Sequence, residues 1–189
     1  MNHRYLQKFQ IKDVVFLAIM SAVALATCAV MPLVISLQPL IFGISQLVTA
    51  LQISVFFAIG LYKVRKPGSL LLMALMMGLI QLMMSPPMFL SSVLNGVLIE
   101  LIVLLLFRGY ERDTAVFVAA MLHTPLSLPF NYLYNRLVKG ADSPLAAVAD
   151  RAPLAAVGMT LAVTAVSALG ALIGIKIARE LKKSGVLKK

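Results

Sequence analysis

Glu100 is the one acidic side chain deep inside an apolar stretch of this sequence. A carboxyl held at the centre of a bilayer costs about 2.5–3.5 kcal/mol on insertion scales, so such a group is usually functional or paired. It ends the run Asn95-Gly96-Val97-Leu98-Ile99-Glu100, with Ser92 and Gly96 on its helical face and Asn95 nearby. Two roles are open to it: acceptor for a polar ligand, or partner of His123 or Gln81 in ordering a bundle. A second constellation is His123, Ser127 and Asn131, which recur every four residues and continue into Tyr134 and Asn135. That spacing makes one polar stripe on a helix. Pro125 and Pro129 lie along it. Each proline removes an intrahelical hydrogen bond and frees a carbonyl, which membranes tolerate where a helix lines a cavity or faces protein. Gln46, Thr49, Gln52 and Gln81 add hydroxyl and amide groups. An amide offers a donor beside an acceptor and suits planar heterocycles, though it also joins helices equally well. Phe89, Phe130, Tyr132 and Tyr134 could stack on a flat ligand or form an interfacial belt.

Motifs for other chemistry are missing. The sequence has no Walker A loop, no HExxH, no GxSxG and no Cys-rich metal run. Cys28 is the single cysteine and lies in an apolar run, so neither an internal disulfide nor a Cys/His metal cluster is expected. No chain of acidic residues crosses the apolar segments, as a proton-driven pump would need. The expectation is a non-enzymatic chain without metal or cofactor, whose transport work, if any, is powered by a partner.

These residues must be carried by elements in lipid. Of 189 residues, 61% are hydrophobic and 13% charged, against about 45–50% apolar and about 25% charged in soluble domains. A soluble chain of this length could not bury so much apolar surface. About 20 apolar residues cross a bilayer as a helix. Six stretches meet or approach that length: residues 13–35, 39–62, 68–84, 88–107, 113–137 and 153–179. The expected fold is an all-α integral membrane protein, a six-transmembrane-helix bundle forming a single domain over 1–189. A cleaved signal peptide is not expected. Leu25-Ala26-Thr27-Cys28 departs from a lipoprotein cleavage box at Thr27, and the apolar run continues well past it.

The charges fix the expected topology. The net charge is +10, from 17 basic and 7 acidic residues. Because the basic residues lie between apolar runs, they read as orientation signals, with no nucleic-acid partner implied. With six spans, one side holds Arg4, Lys8, Lys12, Lys63, Arg65, Lys66, Arg108, Arg112 and the basic C-terminal residues from Lys176 to Lys189. The other holds only Arg136, Lys139 and Arg151. The positive-inside rule then puts both termini in the cytoplasm. The outer connections are 31–38, 85–87 and 138–152. The last carries Gly140, Asp142, Pro144 and Asp150, and is either a spacer or long enough to fold over an outer cavity.

One further stripe consists of small residues: Ala18, Ala22 and Ala26 on one face of the first span. Small residues let helix backbones approach closely in lipid, whether inside the protein or against another one. A basic, six-helix chain of this size with Ala18-x-x-x-Ala22-x-x-x-Ala26 in its first helix resembles the substrate-binding S component of an energy-coupling factor (ECF) transporter, over nearly its whole length. Val64-Arg65-Lys66-Pro67-Gly68, Gly96-Val97-Leu98-Ile99-Glu100-Leu101 and Phe107-Arg108 are similar to the subgroup that takes hydroxymethylpyrimidine and related thiamine precursors. The chain departs from many thiamine-type sites in having no Trp.

The resemblance implies a protein of the prokaryotic cell (inner) membrane that captures a vitamin-like small molecule from outside. It implies as partners a transmembrane coupling subunit, met through Ala18, Ala22 and Ala26, and two cytoplasmic ATPases. In that scheme, ATP-driven rearrangement topples the S component and releases the ligand inside. The ligand-binding residues expected are Glu100, His123, Asn131, Asn95, Gln46, Gln81, Tyr134 and Asn135. Two other readings compete: a small membrane enzyme using His123 and Glu100 as an acid–base pair with Ser127 near, or a scaffold subunit that binds no ligand.

Overall fold

The computed structural model describes residues 8–28, 33–34, 36–140 and 143–185. Those residues form seven α-helices: α1 (Ile11–Thr27), α2 (Ile44–Val64), α3 (Ser69–Leu82), α4 (Pro86–Phe107), α5 (Asp113–Val138), α6 (Pro144–Arg151) and α7 (Pro153–Lys183). Four of them, α2, α4, α5 and α7, are long and apolar enough to cross a membrane. The expected six spans thus stand at four by length and composition. With 17 and 14 residues, α1 and α3 are short, and at about 1.5 Å per residue they reach less far than the roughly 30 Å hydrocarbon core.

Other boundaries shift for local reasons. The first span was expected to continue to residue 35. The helix instead ends at Thr27, capped by Cys28, and residues 29–32 and 35 lie outside the described residues, as do Asp142 and both chain termini. The second helix begins at Ile44 rather than at 39, because residues 36–43 run as turns and Gly43 enters the left-handed region at φ 76°. Pro86 and Pro87, which cannot donate inside a helix, start α4 rather than terminating the connection before it. Helix α5 runs through both Pro125 and Pro129. The connection 138–152 contains a helix, α6, whose N-cap Ser143 accepts a hydrogen bond from the Ala146 N–H.

Helix α2 is the centre of the bundle, with residues from Ser45 to Val64 buried along its length. Its closest neighbour is α7, and two glycines make that approach possible. A Cβ at Gly170 would sit 2.6 Å from the Leu51 carbonyl, and one at Gly174 2.5 Å from that of Val55. Gly170-x-x-x-Gly174 is therefore a small-residue seam of the membrane type. On the other side, α4 lies on α3, where a Cβ at Gly96 would meet Ala74 Cβ at 2.6 Å, and Ser92 Oγ donates to the Ala74 carbonyl at 2.9 Å. Helix α1 packs through Leu17, Ser21 and Ala24. The Ser21 hydroxyl lies 2.9 Å from its own Leu17 carbonyl and 3.2 Å from Met73 O on α3.

One end of the bundle is tied by charge. Lys66, between α2 and α3, pairs with Asp13 in the first turn of α1 at 2.7 Å. Arg65 and Arg179 both pair with Asp113 at the start of α5. The start of α1 and the end of α7 therefore share this basic end, while α6 and the ends of α3 and α5 lie at the other.

The seam can be tested by thermal unfolding in detergent. Gly174→Ala must push on Val55 main chain, so it should lower stability by about 1–3 kcal/mol, the usual cost of overpacking. Gly158→Ala, on the same helix with nothing within 4 Å, should leave the midpoint unchanged or raise it, since alanine is the better helix former. Equal midpoints for the two variants would show that the α2–α7 contact is not tight.

Candidate functional site

A cavity of about 390 Å³ opens at the end of the bundle opposite the ion pairs. That volume is at the small end of the range for sites of small organic ligands. Its walls are the ends of four helices, away from the ion-paired end. Gln46 and Thr49 come from α2, Gln81 from α3, Ser91, Ser92 and Asn95 from α4, and His123, Thr124, Ser127, Asn131, Tyr134 and Asn135 from α5. Gln38, Ser85 and Lys139 contribute at the mouth, and Pro144 and Leu145 of α6 border it.

Helical spacing explains the convergence. The α5 stripe His123, Ser127 and Asn131 faces one way because its members are four apart. Ser91, Ser92 and Asn95 present the matching face of α4. The walls are partly self-satisfied. Gln38 Nε2 donates to Ser45 Oγ, which donates to Gln46 Oε1 at 2.9 Å. Thr49 Oγ1 donates to the Ser45 carbonyl, Ser127 Oγ to that of Thr124, and Asn135 Nδ2 to that of Asn131.

Three lining side chains are different. Asn95, His123 and Thr124 are 1%, 3% and 3% exposed, and none of their side-chain nitrogens or oxygens has a hydrogen-bond partner within the protein. The His123 ring is held edge-on to Phe57, centroids 4.4 Å apart. A buried polar atom left unpaired costs about 1–3 kcal/mol. Three such groups on two facing helices form the polar floor of the cavity.

Seven of the eight ligand-binding residues expected from the sequence line this cavity: Gln46, Gln81, Asn95, His123, Asn131, Tyr134 and Asn135. Glu100 does not, which corrects the expectation. Five residues beyond Asn95 along α4, it lies toward the basic end with its carboxyl turned to the start of α3. Oε1 accepts from the Gly68 N–H at 2.6 Å, and Oε2 from the Leu71 N–H at 3.4 Å and the Tyr110 hydroxyl at 2.9 Å. It therefore caps α3, where unpaired N–H groups and the helix dipole favour an acidic group. Burial, and then the Glu100 carboxyl beside it, holds the Tyr110 phenol well above its usual pKa. Glu100 and His123 do not meet as an acid–base pair. Thr124, Gln38, Ser85 and Ser91 were not expected at the site, and Lys139 was read only as an orientation charge. Ser91 sits four residues before Asn95 and could have been found by that spacing. Thr124 adjoins His123 and widens the stripe by one position.

The small-residue stripe has a separate place. Ala22 and Ala26 are exposed and Ala18 is half-buried, so α1 packs on its neighbours with a different face.

Fold and site together define an α-helical membrane protein, with four described helices long and apolar enough to cross a bilayer and a polar cavity at one end. Residues 11–183 match the family model described as a hypothetical bacterial integral membrane protein (Trep_Strep), and the chain belongs to that family. No curated protein and no solved structure matches it.

The two polar sets should behave oppositely in thermal unfolding. Glu100→Ala strips three donors of their acceptor and should cost about 1.5–3 kcal/mol or more. Asn95→Leu loses no internal hydrogen bond and should unfold at the same temperature as the unaltered protein or above it. An Asn95→Leu protein as weak as Glu100→Ala would mean that Asn95 is committed to the fold.

Proposed function

We propose that this chain is the substrate-capturing S component of an ECF-type importer in the bacterial cell membrane. In this reading α1 and α3 complete a six-span bundle, and the basic end with both chain termini faces the cytoplasm. The cavity opens outward and takes a vitamin or related micronutrient, with thiamine precursors the class suggested by the resemblance. A transmembrane coupling subunit docks on the Ala18, Ala22 and Ala26 face, and two cytoplasmic ATPases supply the energy.

The observation that carries this reading is the convergence of polar side chains from four helices on one cavity, with Asn95, His123 and Thr124 unpaired at its floor. Lipid gives such groups no partner, so a capture site accounts for them better than a scaffold does. Three features agree with it. The basic residues gather at the far end, as the positive-inside rule asks of a cytoplasmic face. On the alanine face Ala22 and Ala26 are exposed and Ala18 is half-buried, and small residues allow a second helix to dock and leave at modest cost. The family is bacterial and integral to the membrane.

Purified protein should bind its small molecule without nucleotide, and Asn95→Leu should weaken that binding by about tenfold or more, the scale of one or two lost hydrogen bonds at a buried site. Ala22→Trp should abolish co-purification with the coupling subunit while sparing ligand affinity. Assembly that survives Ala22→Trp would remove α1 as the docking face, and a protein that binds nothing would remove the capture role.

A further inference from the structure

The cavity's charge pattern narrows what it can hold, on the reading that it is a capture site. Among the described residues lining it none is acidic, and Lys139 at the mouth is the one that carries a formal charge. The described carboxyls are placed elsewhere. Asp13 pairs with Lys66, Asp113 with Arg65 and Arg179, and Glu180 with Lys183. Asp150 takes hydrogen bonds from Tyr132 and Arg136, Glu100 caps α3, and Glu111 is exposed in the connection after α4. A cation entering this space would lose its hydration with no counter-ion among the described residues to replace it, a large penalty for an unpaired charge.

The floor supplies a complementary pattern. The Asn95 amide presents two N–H donors beside a carbonyl acceptor, an imidazole offers a donor at one nitrogen and an acceptor at the other, and the Thr124 hydroxyl does either. A carboxamide pairs two-point with an edge that carries a donor next to an acceptor, as asparagine does with adenine. A ligand with only acceptors, or only donors, would leave part of this floor unpaired, which is how buried polar sites reject near-matches.

We propose that the cavity selects a molecule without positive charge that carries an amide-like edge, an N–H beside a carbonyl or bare ring nitrogen, which pairs with Asn95 while His123 and Thr124 meet its neighbouring polar atoms, and that it refuses cations. Any charge on the ligand is negative and lies at the mouth, toward Lys139.

The test uses the full chain purified in mild detergent from membranes of its own host. The small molecule released on denaturation is identified by high-resolution mass spectrometry, then titrated onto the stripped protein and onto Asn95→Leu and Asn95→Asp. The expected molecule has no positive charge and carries the donor–acceptor edge. Both variants should bind it about tenfold or more weakly, with Asn95→Leu as thermally stable as the unaltered chain. A cationic molecule, one without such an edge, or unchanged affinity in both variants overturns the inference and leaves the capture role standing. Should the variants fail to fold, the identity of the released molecule decides alone. Protein that neither carries nor takes up a small molecule overturns the capture role, and this inference with it.

Discussion

Hydrocarbon supplies no hydrogen-bond partner, so a polar side chain carried into a membrane bundle has to be satisfied by the protein or by what the protein encloses. The interior of this chain divides along that line. Glu100 is satisfied: two main-chain N–H groups and a phenol converge on its carboxyl. Ser21 and Ser92 reach main-chain carbonyls on α3. Asn95, His123 and Thr124 are as deeply buried and remain unpaired. The first group helps to hold the bundle together. Buried hydroxyls at Ser54, Ser69 and Ser167 are unpaired as well, but Asn95, His123 and Thr124 are the ones that line the cavity.

The architecture keeps these two duties apart. At the basic end, Lys66, Arg65 and Arg179 bind the starts of α1 and α5 to the ends of α2 and α7. These pairs are only partly withdrawn from solvent, and near-surface pairs contribute modest energy each; their value is in fixing which helix ends sit together. The Gly170 and Gly174 seam then sets α7 against α2 closely enough to close the middle. With that end and the middle fixed, the outer ends of α3, α4 and α5 can diverge around a cavity. The wall at α5 also carries Pro125 and Pro129, where the ladder of helical hydrogen bonds is already incomplete.

Much of the cavity was legible in the sequence, because polar residues in apolar helices are rare and their spacing betrays a face. His123, Ser127 and Asn131 declared themselves that way, and Asn95, Gln46 and Gln81 were recognised as isolated polar groups. Glu100 was misassigned for a physical reason. Its partners are main-chain N–H groups of Gly68 and Leu71 and the hydroxyl of Tyr110, and no side-chain pattern announces a main-chain donor. Helix α6 was hidden because its eight residues between Asp142 and Ala152 carry the Pro and Asp typical of a loop. The start of α2 was missed because the apolar turns over 36–43 look like apolar helix. Gly170 and Gly174 passed unnoticed, since close approach depends on which helix lies opposite.

In the proposed role the polar cavity faces the outside of the cell while the basic end faces in. Cysteine labelling in intact cells tests this most directly, in a Cys28→Ala background with a membrane-impermeant thiol reagent. Asn131→Cys, in the cavity wall, should be modified from outside, and Glu111→Cys, beside the ion-paired end, only after the cells are opened. Labelling of Glu111→Cys in intact cells, with Asn131→Cys reached only after opening, would contradict it.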